Sequence, residues 1–248
     1  MRKRMACAVA VAVVLLAGCG SSTPTPSPTP TATPVGDLPP LWVQHEVSWQ
    51  ALDAGDAHPG VCRWTLVPAS HAVELDSKRL ADMRDPGFGQ AYVAIVQGDF
   101  QPPTEEGWPA SARFMYLVMD SSRGHHLMWG FLSARPRVRA LGHLHAYRPT
   151  PPHSAEVWGH TMFGGGIIAG AYPIPHVPVG VWRGIQKNPG GAPLRSVSSD
   201  ANGFFDLALP DGVYTLKLLS DKHGWTVPTR VTVQAGQPVA AGVYGEGM

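Results

Sequence analysis

Apolar positions along this chain change their period, and each change marks a boundary. From Met5 to Leu16 they run almost unbroken for about a dozen residues behind Arg2, Lys3 and Arg4. That length suits a signal-peptide core and is too short for a mature membrane-spanning helix. From Gly20 to Pro40 apolar content all but vanishes, and Thr-Pro and Ser-Pro repeats between Thr23 and Pro30 leave nothing to build a core. Proline favours extended polyproline II, so this segment forms a stalk of at most roughly 60 Å at about 3.1 Å per residue.

Periodicity returns after Pro40. Leu41 to Ala54 predicts a short helix, Gly60 to Leu66 and Ala72 to Leu75 predict strands, and Ser77 to Arg84 predicts a helical turn closed by Asp85-Pro86-Gly87. Tyr92 to Val96 is apolar and largely β-branched. Phe114 to Met119 and His126 to Leu132 flank Asp120-Ser121-Ser122-Arg123-Gly124, the signature of a hairpin. The Pro-rich stretch from Gln101 to Ala110 connects the two groups of strands. Residues 41–150 are therefore expected to form an α+β domain, a small antiparallel sheet packed by one helix. Within 151–248 the alternation is strict. Phe205, Leu207 and Leu209 share one strand face, and Tyr214, Leu216 and Leu218 share a face of the next. Asn202-Gly203 and Asp211-Gly212 supply turns between strands.

Composition agrees with strands and turns, with 28 Gly, 25 Pro and only 15% charged residues. Residues 1–18 carry three basic groups and no acidic ones. Their removal would leave 16 basic against 18 acidic groups, a formal net charge of −2. A nearly neutral chain has no electrostatic footprint for nucleic acid. Cys7 leaves with the signal, so Cys62 becomes the only unmodified thiol once Cys19 is accounted for, and no intramolecular disulfide forms. Cys62 lies in the strand-like run Val61 to Leu66, with the character of a buried structural cysteine.

Leu16-Ala17-Gly18-Cys19 resembles a bacterial lipobox. The resemblance implies a signal peptide over 1–18, diacylglycerol on the Cys19 thiol, and a lipidated linker over 19–40 that holds the folded part outside the membrane. The run from Ser199 to Leu218 holds Ser-Asp-x-x-Gly-x-Phe, then Leu-Pro-x-Gly-x-Tyr, in order. It resembles the carboxypeptidase regulatory-like domain, an all-β transthyretin-like (prealbumin-like) sandwich. Pro178 to Trp182, Leu194 to Ser198, Val227 to Val233 and Val239 to Tyr244 resemble that family's other strands, with a Gly-rich insert from Gly164 to His176. The family's domain is a non-catalytic accessory, so the resemblance implies a binding or structural module.

The chemistry-bearing residues add little to that. There is no Gly-x-Ser-x-Gly elbow, no His-Glu-x-x-His and no phosphate loop, and Glu105-Glu106 sits in a Pro-rich loop facing solvent. No cofactor and no catalytic residue is expected. His143 and His145 share one side of an extended strand, and with a third ligand they would make the alternative, a metal-binding envelope factor or a hydrolase. Aromatic residues point elsewhere. With Val179 and Val181 facing the core, Trp182 is expected to face out beside Gly180, a flat platform for a sugar ring that Trp158 and Trp225 could join. The expected partners are the membrane through Cys19 and an envelope glycan or protein.

Overall fold

The computed structural model describes residues 38–78, 80, 89–104, 108–122, 127–150, 157–164, 171–220 and 225–246. The signal, Cys19 and the linker lie outside them, and so does most of the turn expected over Ser77–Arg84. The described residues belong to one compact unit.

The helix α1 (Leu41–Asp53) starts behind Pro39-Pro40 and stops two residues before Gly55. Gly55 adopts φ +89°, and the helix closes with Asp56 N–H donating to Ala51 O (2.9 Å) and Gly55 N–H to Leu52 O (3.0 Å). These paired bonds satisfy carbonyls that the helix leaves open, and a left-handed residue makes them reachable. Its stripe of Val43, Val47, Ala51 and Ala54 packs on one sheet face with Cys62, Trp64, Val96, Met115, Leu117 and Phe131.

That sheet comprises β1 (Cys62–Pro68), β2 (Gln90–Phe100), β3 (Ala112–Asp120), β4 (Leu127–Leu132) and β5 (His145–Tyr147), in the antiparallel order β5-β1-β2-β3-β4. The hairpin expected around residues 120–124 is β3–β4. Residues 72–75 do not form the expected strand: Ala69–Glu74 is a 3-10 turn, following Pro68 directly. Its Ala69 and Ala72 are buried on the opposite face of the sheet, with Val67, Val93, Ile95, Val118 and Leu141. Glu74 interrupts the apolar run, and from the turn Ala69, Ala72 and Leu75 all reach that core.

The remaining strands are β6 (Val157–Gly164), β7 (Ala171–Pro173), β8 (Pro178–Arg183), β9 (Arg195–Ser198), β10 (Phe204–Leu207), β11 (Gly212–Leu218), β12 (Trp225–Val227), β13 (Thr229–Val233) and β14 (Val239–Glu246). β13-β11-β8-β9 form a four-stranded sheet. β12-β14-β6 form the sheet that faces it, with β10 and β7 on the other edge of β6. β7 also meets β4 through the single pair Leu127–Ala171, so this sheet runs on into the first one. Between the layers lie Val179, Val181, Phe205, Leu207, Leu209, Tyr214, Leu216 and Leu218, the inward sets that alternation predicts. The expected strand Val227–Val233 is instead two strands in different sheets, β12 on β14 and β13 on β11, divided at Pro228. Proline has no N–H to donate to a ladder, so the chain changes layers there.

β6 is buried on both faces because a different element covers each. Val157 points into the sandwich. Trp158 and Met162 point out, where Trp49 of α1 packs on them together with Phe204 of β10. The helix thus joins the first sheet to the outer face of the sandwich.

Candidate functional site

Two of the three tryptophans expected to form a platform are buried. Trp158 is 3% exposed, its carbonyl accepts a hydrogen bond from Trp49 Nε1 (3.1 Å), and its ring tilts against Phe204 at 5.7 Å. Trp182 does leave the sandwich core, as expected, but is only 5% exposed. Its ring lies over Gly180 and close to Leu219, so that even a methyl on Gly180 would overlap it. The expectation of an exposed Trp182–Trp158 surface is corrected on this point: the outer faces that carry both rings are covered. For Trp225 the backbone pairs with Glu246, and the side chain lies outside the described residues.

An exposed aromatic surface exists on the first sheet instead. Trp129 and Phe131 are two apart on β4 and share its helix-side face. The helix covers β1 to β3 on that side, and Trp108, from the Pro-rich connection, covers β4. Trp108 and Trp129 stack at 6.0 Å with 10° between their planes. Phe131 meets both edge-on, at 5.4 Å and 5.5 Å, and Phe100 lies behind it at 6.2 Å. Exposure is graded: Phe100 and Phe131 are buried, Trp108 is half-buried, and Trp129 is 36% exposed. The buried phenylalanines hold the indoles in place, which lowers the entropy lost when a flat ligand stacks on them. Neither tryptophan stood out in the sequence. The available signal was Trp129 alternating with Phe131, together with a Trp held between Gly107 and Pro109.

His143 and His145 do lie together, with ring centroids 5.0 Å apart and planes at 89°. His145 also stacks on Trp64 at 5.0 Å. No group of three His, Cys, Asp or Glu residues placed to hold a metal occurs among the described residues. Glu105, Glu106, His125, His126 and His153 lie outside them. Cys62 is fully buried, and burial pushes its thiol up to about 12, which suppresses the reactive thiolate.

The most perturbed groups face each other under the helix. Glu46 of α1 and His160 of β6 approach to 3.6 Å (Oε2 to Nδ1), and both are buried. Burial raises the Glu46 carboxyl to about 7, against a hydrogen bond from Gln50 Nε2 (3.0 Å) that favours the anion. Burial lowers His160 to about 3. At 1% exposure, with its ring stacked on Phe204 at 4.2 Å and edge-on to Trp49 at 5.3 Å, His160 is enclosed by protein. Perturbed carboxyl and imidazole groups also mark catalytic sites, but this pair is walled in by the Trp49 and Phe204 rings and serves as a packed polar contact.

No protein-family profile matches this chain, and no curated protein does. Among solved structures it is similar to GBS52, a minor pilin of Streptococcus agalactiae, at 14% identity over 79% of this chain and 88% of that one (TM-score 0.29). A streptococcal ancillary pilin matches at 13% identity over 82% and 66% (TM-score 0.28). A variant of the shaft pilin SpaA from Lactobacillus rhamnosus GG matches at 10% identity over 77% and 88% (TM-score 0.26). At such distances these pilins carry neither the fold nor the function of this chain. The β-sandwich described above rests on its own strand pairing.

Proposed function

We propose that this chain is an exported lipoprotein, held at the outer face of the cell membrane by lipid on Cys19, whose folded part is a non-catalytic module that recognises an envelope glycan. The stacked Trp108–Trp129 surface carries the binding part of this reading. It offers a flat apolar face at the protein surface, backed by buried rings, and such faces suit the C–H side of a sugar ring. The lipobox-like Leu16-Ala17-Gly18-Cys19 and the Pro-rich linker support the anchoring part.

Binding to purified wall polysaccharides and peptidoglycan tests the first part. Trp129→Ala is expected to weaken binding about tenfold, roughly 1.4 kcal/mol, with a modest fall in melting temperature, because at 36% exposure the ring still packs on Trp108 and Phe131. Trp182→Ala is expected to leave affinity unchanged. Wild-type affinity in the Trp129 variant would remove the surface from consideration, and a wild-type protein that binds no wall fraction would leave a structural role. Fractionation tests the second part. Cys19→Ala is expected to move the protein from the membrane to the soluble fraction, since no helix among the described residues is long and apolar enough to cross a membrane. Retention in the membrane fraction would overturn the anchoring.

A further inference from the structure

We propose that a cleft on the other face of the first sheet binds a small organic anion, one with an oxyanion head and an apolar body. Its origin is topological. β4 and β5 lie at opposite edges of the order β5-β1-β2-β3-β4, so the chain between them must cross three strands. Residues 133–144 make that crossing over the face carrying Val93 and Ile95. Leu141 is buried in that face, with Val138 and Leu144 packed against it. The crossing is pinned midway, where Ala140 N–H donates to Glu74 Oε2 and Ala140 O lies 3.0 Å from His71 Nδ1.

Between this strap and the strands lies an open cavity of about 450 Å³, lined by Arg63, Ile95, Arg135, Arg137, Val138 and Leu144, with Pro136 completing the wall. Arg63 and Ile95 are cross-strand partners in β1 and β2. Arg135 and Arg137 stand two apart on the strap, with solvent-exposed side chains. None of the three guanidinium groups has an ion-pair or hydrogen-bond partner among the described residues.

Three guanidiniums around one cavity, unpaired among the described residues, repel each other, and an anion among them removes that repulsion. Each presents a planar fork that matches two oxygens of a phosphate or carboxylate. The near-neutral balance of the chain makes the cluster a local feature rather than a consequence of composition. The volume lies within the range of about 300–1,000 Å³ found for small-molecule sites. Ile95, Val138 and Leu144 supply an apolar wall that a bare inorganic ion would leave uncovered. Head and wall together specify the class of ligand. The cleft and the Trp108–Trp129 surface lie on opposite faces of the sheet, so the two sites stand or fall separately.

Calorimetric titration of the full chain in a non-ionic detergent tests this, with phenyl phosphate, benzoate, inorganic phosphate and glucose as probes. Phenyl phosphate or benzoate is expected to bind at least about tenfold more tightly than inorganic phosphate, with glucose silent. Which of the two is tighter separates a phosphate head from a carboxylate head. Arg63→Lys, Arg135→Ala and Arg137→Ala are each expected to weaken binding about tenfold, equivalent to roughly 1.4 kcal/mol. Arg139→Ala, outside the cavity, should bind as the parent does. Affinity should also fall as salt is raised. Binding of organic anions no tighter than inorganic phosphate, or unchanged by all three arginine substitutions, would overturn the proposal. Because Arg135 and Arg137 are exposed, with no side-chain hydrogen bond or ion pair among the described residues, their variants report on binding with little effect on the fold.

Discussion

Trp49→Ala should cost about 3–5 kcal/mol of stability, the usual range for truncating a large buried aromatic. The ring is 1% exposed and packs with Trp158, Met162 and Phe204. Its Nε1 donates to Trp158 O across a sequence separation of 109 residues, and the substitution leaves that buried carbonyl without its donor. Such a loss is a large part of the roughly 5–15 kcal/mol that stabilises a typical domain. The helix joins the first sheet to the sandwich, so the loss should also uncouple them. Urea unfolding followed by tryptophan fluorescence and by circular dichroism should coincide in the parent and separate in the variant. Trp49→Phe retains most of the volume and should lose less, with about 1 kcal/mol of the difference coming from the missing hydrogen bond. A cost below about 1 kcal/mol for the alanine variant would mean that the helix does not hold the two parts together.

Glu46→Gln should stabilise the protein at pH 8 and leave it unchanged at pH 4. The folded chain holds the Glu46 proton up to about pH 7, and the ordinary carboxyl value is 4.5. Between those values the folded state binds a proton that the unfolded state has released, so stability falls as pH rises. The gap corresponds to about 3 kcal/mol. His160 works in the opposite sense. Its value falls from 6.5 to about 3, so its contribution is complete above pH 6.5 and is lost as pH falls toward 3. The two slopes oppose each other between pH 4.5 and 6.5, and the parent should be most stable across that window.

Glutamine matches the protonated carboxyl in shape and still accepts from Gln50, so the variant loses only the alkaline-side decline. The other titratable groups in this contact are Asp53 on the same helix and Tyr244 on β14. Asp53 adds to the rise at Glu46, and Tyr244 is itself pushed up to about 12, mainly by burial. Melting temperatures at pH 4 and pH 8 decide the matter. An equal difference at both values would show that packing, not ionisation, separates the two proteins.

Where local pattern decides structure, the sequence was readable. The helix at 41–53, the β3–β4 hairpin and the inward sets of β8, β10 and β11 all follow from period and turn chemistry. Two strand assignments failed for identifiable reasons. Residues 72–75 turn instead of pairing, and Val227–Val233 divides at Pro228, a break visible in the sequence to a reading that respects the missing donor. The site was harder to see. An outward residue at a strand position is legible as outward, and Trp182 is one, yet outward does not mean exposed.

The sequence alone determines which side of its own strand or helix each residue occupies, because a period of 2.0 or 3.6 is set by the backbone within a few residues. It also carries the export-like leader and the proline-rich stalk, which are compositional. Only the tertiary structure decides which second faces are covered. Trp158 is buried because α1, more than a hundred residues earlier, lies on it, and Trp129 is exposed because that same helix ends its cover at β3. The arginine cleft exists because the chain from β4 must cross the sheet to reach β5. Each of these depends on the placement of elements distant in sequence, and no local period encodes that placement.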